Sequence, residues 1–262
     1  MLSAARVFTQ LTRFDAALII YAAVFLPLVS AGHDILYAAI RALPIAVISM
    51  CGFTINNLYD IEKDRENHPD RVLPRGEISP VIGGVIYFGL LAISLALVRI
   101  YADEANAFLY LLLLLSVVNY NVAITYFPYT KNIYVAAVGG ISASILLTLT
   151  GGFGTHRYVI LAVFFYLLGK EMLMDVLDEK ADAMTFVKII GIKRSENIAY
   201  SMKLIADALL LLQATSAIPM TLVGCLVVSD AASLYLWKAR ASKALSLFVI
   251  RCQAVVGIYF LL

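Results

Sequence analysis

Two sets of oxygen-bearing side chains sit at the ends of very apolar segments. Asn56, Asp60 and Asp64 fall in NNLYDIEKD, and Asp175, Asp178 and Asp182 fall in KEMLMDVLDEKAD. At about 100° per helical residue, spacings of four and four, or three and four, put each set on one helix face. Ionisable groups at membrane depth are expensive and mark functional sites. Two facing carboxylate stripes repel when empty. A hard divalent cation such as Mg²⁺ relieves that repulsion, because it takes oxygen ligands and bridges carboxylates to a substrate's phosphates. The spacing therefore points to a metal-dependent diphosphate site in a membrane protein. On the same reasoning, alanine at Asp60, Asp64, Asp175 or Asp178 abolishes turnover in a folded protein. Asn at Asp60 or Asp175 maintains or raises stability.

The segments around the stripes carry complementary charge. Residues 65–80 read RENHPDRVLPRGEISP, where Pro69, Pro74, Gly76 and Pro80 stop any long helix. Arg65, Arg71 and Arg75 in this loop could clamp a metal-bound diphosphate, since guanidinium forks match phosphate oxygens. They could equally be only the basic residues that set membrane topology. A second basic loop, roughly 179–197, holds Lys180, Lys188, Lys193 and Arg194. A third segment, TYFPYTKN at 125–132, groups Tyr126, Tyr129 and Lys131 around Pro128. Tyrosines there serve either as interfacial belt residues or as aromatic faces for a carbocation. Lys131 can neutralise a leaving diphosphate.

These residues need a membrane-spanning frame, and the composition supplies it. The 262-residue chain is 62% hydrophobic, with mean hydropathy +0.88. A globular domain is about 45–50% apolar. The excess forms blocks near the length of about 20 residues that a span requires. They lie at roughly 15–31, 36–58, 80–100, 107–126, 133–151, 158–177, 198–216, 218–237 and 244–262. The fold class expected is thus all-α, a polytopic membrane protein with nine transmembrane helices. Residues 1–13 read as an amphipathic surface helix, not a cleaved signal. The chain reads as one domain, 1–262, with a weak internal repeat over about 1–130 and 131–262: apolar helix, acidic stripe, basic loop. Cys51, Cys225 and Cys252 have no metal-ligand spacing and read as packing residues. A net charge of +2 does not imply nucleic acid. Lys and Arg collect after alternate spans, so the N-terminus and both acidic loops are expected to face the cytoplasm.

Together these motifs resemble the UbiA superfamily of intramembrane prenyltransferases. The family's N-D-x-x-D-x-x-x-D corresponds to Asn56-Asn57-x-x-Asp60-x-x-x-Asp64, with Asn57 in place of the usual Asp. NHPDRVLPRGEIS looks like its N-x-P-x-R-P-x-P-x-G-x-I/V-S continuation. Its D-x-x-D-x-x-x-D matches Asp175, Asp178 and Asp182, preceded by Lys170-Glu171. Its Tyr-x-x-x-Lys is matched loosely by Tyr126 and Lys131, with one extra residue between. Arg13-Phe14-Asp15 looks like its basic entry segment. Departures are Ala181 and Ala183 where Gly and Arg are common, Lys170 where Arg is frequent, and TFVKIIG downstream.

The resemblance implies nine helices around a central cavity. Asn56, Asp60, Asp64, Asp175, Asp178 and Asp182 would hold two Mg²⁺ ions. Arg13, Arg71, Arg75, Lys131 and Lys170 would contact a prenyl diphosphate donor, and Tyr126 would face the allylic cation. An aromatic or lipid acceptor would then take the prenyl group. A terpene cyclase of the same family would use the same donor without an acceptor. An ion transporter would not need the R-x-L-P-x-G loop, and its acids would sit nearer mid-membrane.

Overall fold

A computed structural model describes residues 4–154, 156–177 and 185–213, together with 228, 234 and 235. Among the described residues all regular structure is helical. The expected spans at 218–237 and 244–262, with Cys225 and Cys252, lie outside this set. The chain divides into two compact units, Met1–Ala123 and Ile124–Leu262.

In the first unit, α1 (Ala4–Thr12) meets α2 (Phe14–Ser30) at a bend of 61°. The joint is Arg13, the described non-glycine residue with positive φ, at 46°. α3 (Ile35–Tyr59) starts at Asp34, whose carboxylate accepts from the amides of Leu36 and Tyr37 at 2.8 and 3.2 Å. This cap satisfies two of the amides that a helix start leaves without partners. α4 (Ile61–Asn67) follows Asp60, which has φ −86° and ψ 8°. The first stripe therefore occupies two consecutive helices, not the single helix face its spacing suggests. Bonds from Asp60 N to Asn56 O (2.9 Å) and from Asp64 N to Asp60 O (2.7 Å) carry the four-residue register across the break.

α5 (Pro80–Tyr101) begins with Pro80, whose missing N–H costs nothing there, and is capped by the Ser79 hydroxyl on Ile82 N at 3.3 Å. α6 (Glu104–Tyr126) starts where the Asp103 carboxylate accepts from Asn106 N at 2.9 Å. Ala17, Met50, Cys51, Tyr87 and Leu90 pack α2, α3 and α5 together, so Cys51 is a core residue as expected. The loop after α4 has its own anchor. Val72, Leu73 and Ile78 pack with Leu11 in a buried cluster, flanked by Leu58 and Ile86.

In the second unit, a short 3₁₀ turn (Pro128–Thr130) leads into α7 (Lys131–Leu149), followed by α8 (Arg157–Leu177), α9 (Phe186–Ile190) and α10 (Ile192–Gln213). Leu147, Val159, Ala162, Ala206 and Leu210 form one core, and Met172, Leu173, Val176, Val187 and Ala199 another. α8 crosses α10 at Gly169, where an added Cβ would lie 2.5 Å from the Ala199 carbonyl oxygen. Backbone cannot yield as a side-chain tip can. Gly169→Ala is expected to lower stability by about 1–3 kcal/mol, the usual range for overpacking. A melting curve in detergent that matches the unsubstituted protein would contradict this close approach.

Among the described residues, four helices are long and apolar enough to cross a membrane, or five if α1 and α2 form one broken span. α8 and α10 have comparable length. However, α8 carries Arg157, Lys170, Glu171 and Asp175, and α10 carries Lys193, Arg194, Glu196, Lys203 and Asp207. Those charges reflect what the two helices hold, as follows.

Candidate active site

The first unit gathers Asn56, Asp60, Asp64, Arg71 and Arg13 about the end of α3. Asn56 Nδ2 donates to Asp60 Oδ2 at 2.9 Å. Asp64 is buried, and Arg71 Nη1 meets its Oδ2 at 2.6 Å. Arg13 lies close enough to Arg71, Asp64 and Asp60 to feel their charges, with its guanidinium 5.7 Å from the Phe53 ring centroid. Asn57, the residue that departs from the family pattern, donates from Nδ2 to the Leu11 carbonyl at 2.7 Å. An aspartate could not make that bond when ionised, so the amide ties α1 to α3 beside Arg13. Arg75 instead pairs with Glu77 at 2.9 Å and stays exposed.

Burial pushes the Asp60 carboxyl above the ordinary carboxylate range, and Asp64 adds to this. Lys63, Arg71 and the Asn56 amide oppose it. A cation that prefers the ionised form must therefore compete with a proton at Asp60. Binding of Mg²⁺ is expected to weaken as pH falls from neutrality toward the raised pKa, and the Asp60→Asn variant should show less of this dependence. Melting curves taken at several pH values across an Mg²⁺ titration measure it. An Mg²⁺ midpoint independent of pH would count against Asp60 as a ligand.

The second unit gathers its own polar residues at the start of α7 and the end of α8. Asp175 is 2% exposed. Its Oδ1 accepts from Lys131 Nζ at 2.9 Å and its Oδ2 from Asn132 Nδ2 at 2.8 Å. The carboxylate is thus neutralised and doubly bonded, not repelled, which removes the basis for expecting Asp175→Asn to preserve stability. Lys170 pairs with its neighbour Glu171 at 2.6 Å. Tyr126 is 75% exposed at the end of α6. Asp178 and Asp182 lie outside the described residues.

Sequence reasoning passed over two groups. Asn132 lies next to Lys131, and a polar residue one step into an apolar helix was the available signal. Lys203 and Asp207, one helical turn apart on α10, are buried at 1% and 6%. The Lys203 amine lies 5.5 and 5.9 Å from the ring centroids of Tyr166 and Tyr200. An i, i+4 pair of opposite charges inside an apolar stretch marks such a group.

The donors at Asn56, Asp60, Asp64 and Asp175 are all oxygen, which suits a hard cation and not a soft one. Among the described residues no three His, Cys, Asp or Glu side chains are grouped to hold a metal ion by themselves. Mg²⁺ does not require such a cage. It binds through one or two carboxylates plus substrate phosphates, so the residues present fit it.

Comparison with known proteins decides the family. Residues 16–252 match the model of the UbiA prenyltransferase family. The chain belongs to that family. Among its relatives, digeranylgeranylglyceryl phosphate synthase of Sulfolobus acidocaldarius is 28% identical over 175 residues, covering 59% of this chain and 57% of that protein. The enzyme of the same name from Metallosphaera sedula is 25% identical over 195 residues, covering 70% and 64%. The UbiA chain thus spans little more than half the length of several curated relatives it matches. In fold it is similar to a UbiA homolog from Aeropyrum pernix, with TM-score 0.74 and 15% identity over 99% of this chain and 98% of that one. It is likewise similar to a UbiA homolog from Archaeoglobus fulgidus bound to DMAPP and Mg²⁺, with TM-score 0.71 and 18% identity over 97% of each.

Proposed function

We propose that this UbiA-family chain is an Mg²⁺-dependent intramembrane prenyltransferase. It moves a prenyl group from an isoprenoid diphosphate to a lipid or aromatic acceptor and releases pyrophosphate. One observation carries the reading: Asp64, in the short helix that follows α3, and Asp175, near the end of α8, are buried and each is held by a basic side chain, Arg71 or Lys131. Mg²⁺ would supply positive charge against the departing pyrophosphate. Ions would be held in the first unit by Asn56, Asp60 and Asp64, and in the second by Asp175 with Asp178 and Asp182. Arg71 and Lys131 would bond diphosphate oxygens, and Arg13 would add charge beside Asp60. The exposed Tyr126, in the same segment as Lys131, would offer an aromatic face to the allylic cation. The relatives named digeranylgeranylglyceryl phosphate synthase favour a lipid acceptor that carries a glyceryl phosphate over an aromatic one.

The test is an assay of the chain in membranes with prenyl diphosphates of several lengths, with and without lipid and aromatic acceptors. Products are identified by mass spectrometry. Pyrophosphate release that needs both Mg²⁺ and an acceptor is expected, and full turnover after exhaustive chelation overturns the reading. Orientation is a separate expectation. Cysteines placed at Glu77 and Lys193 should both be labelled from the cytoplasmic side of sealed vesicles, and labelling from opposite sides would refute it.

A further inference from the structure

Arg13 sits in a backbone conformation that must be held in place. Its φ of 46° and ψ of 52° lie in the left-handed region, which the end of a helix commonly gives to glycine or asparagine. A larger residue stays there only where its surroundings fix it. Leu11, two residues earlier, is fixed twice. Its side chain is buried in the cluster with Val72, Leu73 and Ile78, and its carbonyl accepts from Asn57 Nδ2 at 2.7 Å. That carbonyl belongs to the last turn of α1, where a helix leaves its acceptors unfilled. Asn57 is 6% exposed, and its Oδ1 has no hydrogen-bond partner among the described residues. Burying an amide with its oxygen unfilled is unfavourable, so packing alone does not account for an asparagine here. The bond to Leu11 does.

We propose that Asn57 is a positioning residue: its amide latches the end of α1 to α3 and so sets the left-handed joint that places Arg13 at the first acidic stripe. This rests on the function proposed above, in which Arg13 adds charge beside Asp60. The latch also explains why this chain departs from the family pattern at position 57. One residue on from Asn56, the side chain is turned about 100° away from the face of the stripe. It serves backbone and not a metal. An aspartate would set an oxygen against the Leu11 oxygen and release α1 from α3.

The experiment has two readouts on the full chain in detergent. Hydrogen exchange over residues 4–17, without ligand, reads the joint. Asn57→Leu should speed exchange there by about fivefold, the fold-change that corresponds to one lost hydrogen bond. Asn57→Asp, which returns the family's residue but not the amide donor, should do the same. Calorimetry with inorganic pyrophosphate in excess Mg²⁺ then reads the site. Asn57→Leu should weaken binding by about tenfold, the scale for loss of an orienting partner. In an Arg13→Ala background it should cause little further loss, because Asn57 acts through Arg13. Asn57→Ala takes its place in this cycle where Asn57→Leu does not fold. Unchanged exchange at the joint in the Asn57 variants overturns the latch. A faster joint with the same loss of binding in both backgrounds overturns the positioning of Arg13 and leaves the proposed function standing. If the unsubstituted protein binds no pyrophosphate with Mg²⁺, the proposed function falls and this inference with it.

Discussion

Asp175→Asn is expected to abolish prenyl transfer and to lower the melting temperature together. Lys131 Nζ and Asn132 Nδ2 both donate to this carboxylate, which is almost wholly buried. The asparagine side chain keeps the size but has one acceptor oxygen and no charge. It removes the charge that Asp175 sets against the Lys131 ammonium and leaves one donor facing an NH₂ group. Breaking a buried pair costs about 3–5 kcal/mol. Here the low end applies, since the Lys131 side chain is about a quarter exposed and can turn to water. Turnover should fall by about 10²–10³, the scale for loss of one electrostatic contact in the transition state. Parallel melting and turnover measurements decide it. An unaltered melting temperature would mean that the carboxylate's charge contributes nothing to the fold.

Asp60→Asn should lose turnover on the same scale but move stability the other way. The Asp60 carboxyl is pushed above its ordinary range mainly by burial. A carboxyl raised in the folded state contributes stability that is full below its unfolded pKa, near 4. That stability is lost as pH rises through the folded value. At neutral pH the ionised group therefore detracts from the ligand-free fold, and an uncharged amide removes that burden. The melting temperature of Asp60→Asn should equal or exceed that of the unsubstituted protein at pH 7, with the gain vanishing near pH 4. A clear destabilisation at pH 7 would show that Asp60 is held as a structural ion pair. The two asparagine variants thus separate residues that look equivalent in sequence.

That separation shows where sequence reading reaches its limit. The apolar block expected at 36–58 is the helix Ile35–Tyr59, and that at 80–100 is Pro80–Tyr101. Hydropathy is a property of consecutive residues, so spans are legible along the chain. The arginine and lysine partners were legible as types but not as pairs. Lys131 and Asp175 are 44 residues apart, and only the packing of α7 on α8 brings them together. The break at Asp60 was hidden because the four-residue spacing survives it. The role of Asn57 was not legible, since its bond to the Leu11 carbonyl requires a residue 46 positions away. Lys203 lies inside the apolar block at 198–216, where hydropathy averages over a single charge.

The apolar keel beneath the loop after α4 has a consequence for how the site is used. Val72, Leu73 and Ile78 are buried, Arg71 is held on the buried Asp64, and Arg75 is exposed, all within the same dozen residues. The loop's conformational freedom is therefore surrendered once, when the chain folds, and not again at each encounter with a ligand. A loop prepared in this way gives up less entropy on binding. Its exposed cation, Arg75, is also free to vary without loss of shape, because the residues that set the shape are not those that meet solvent.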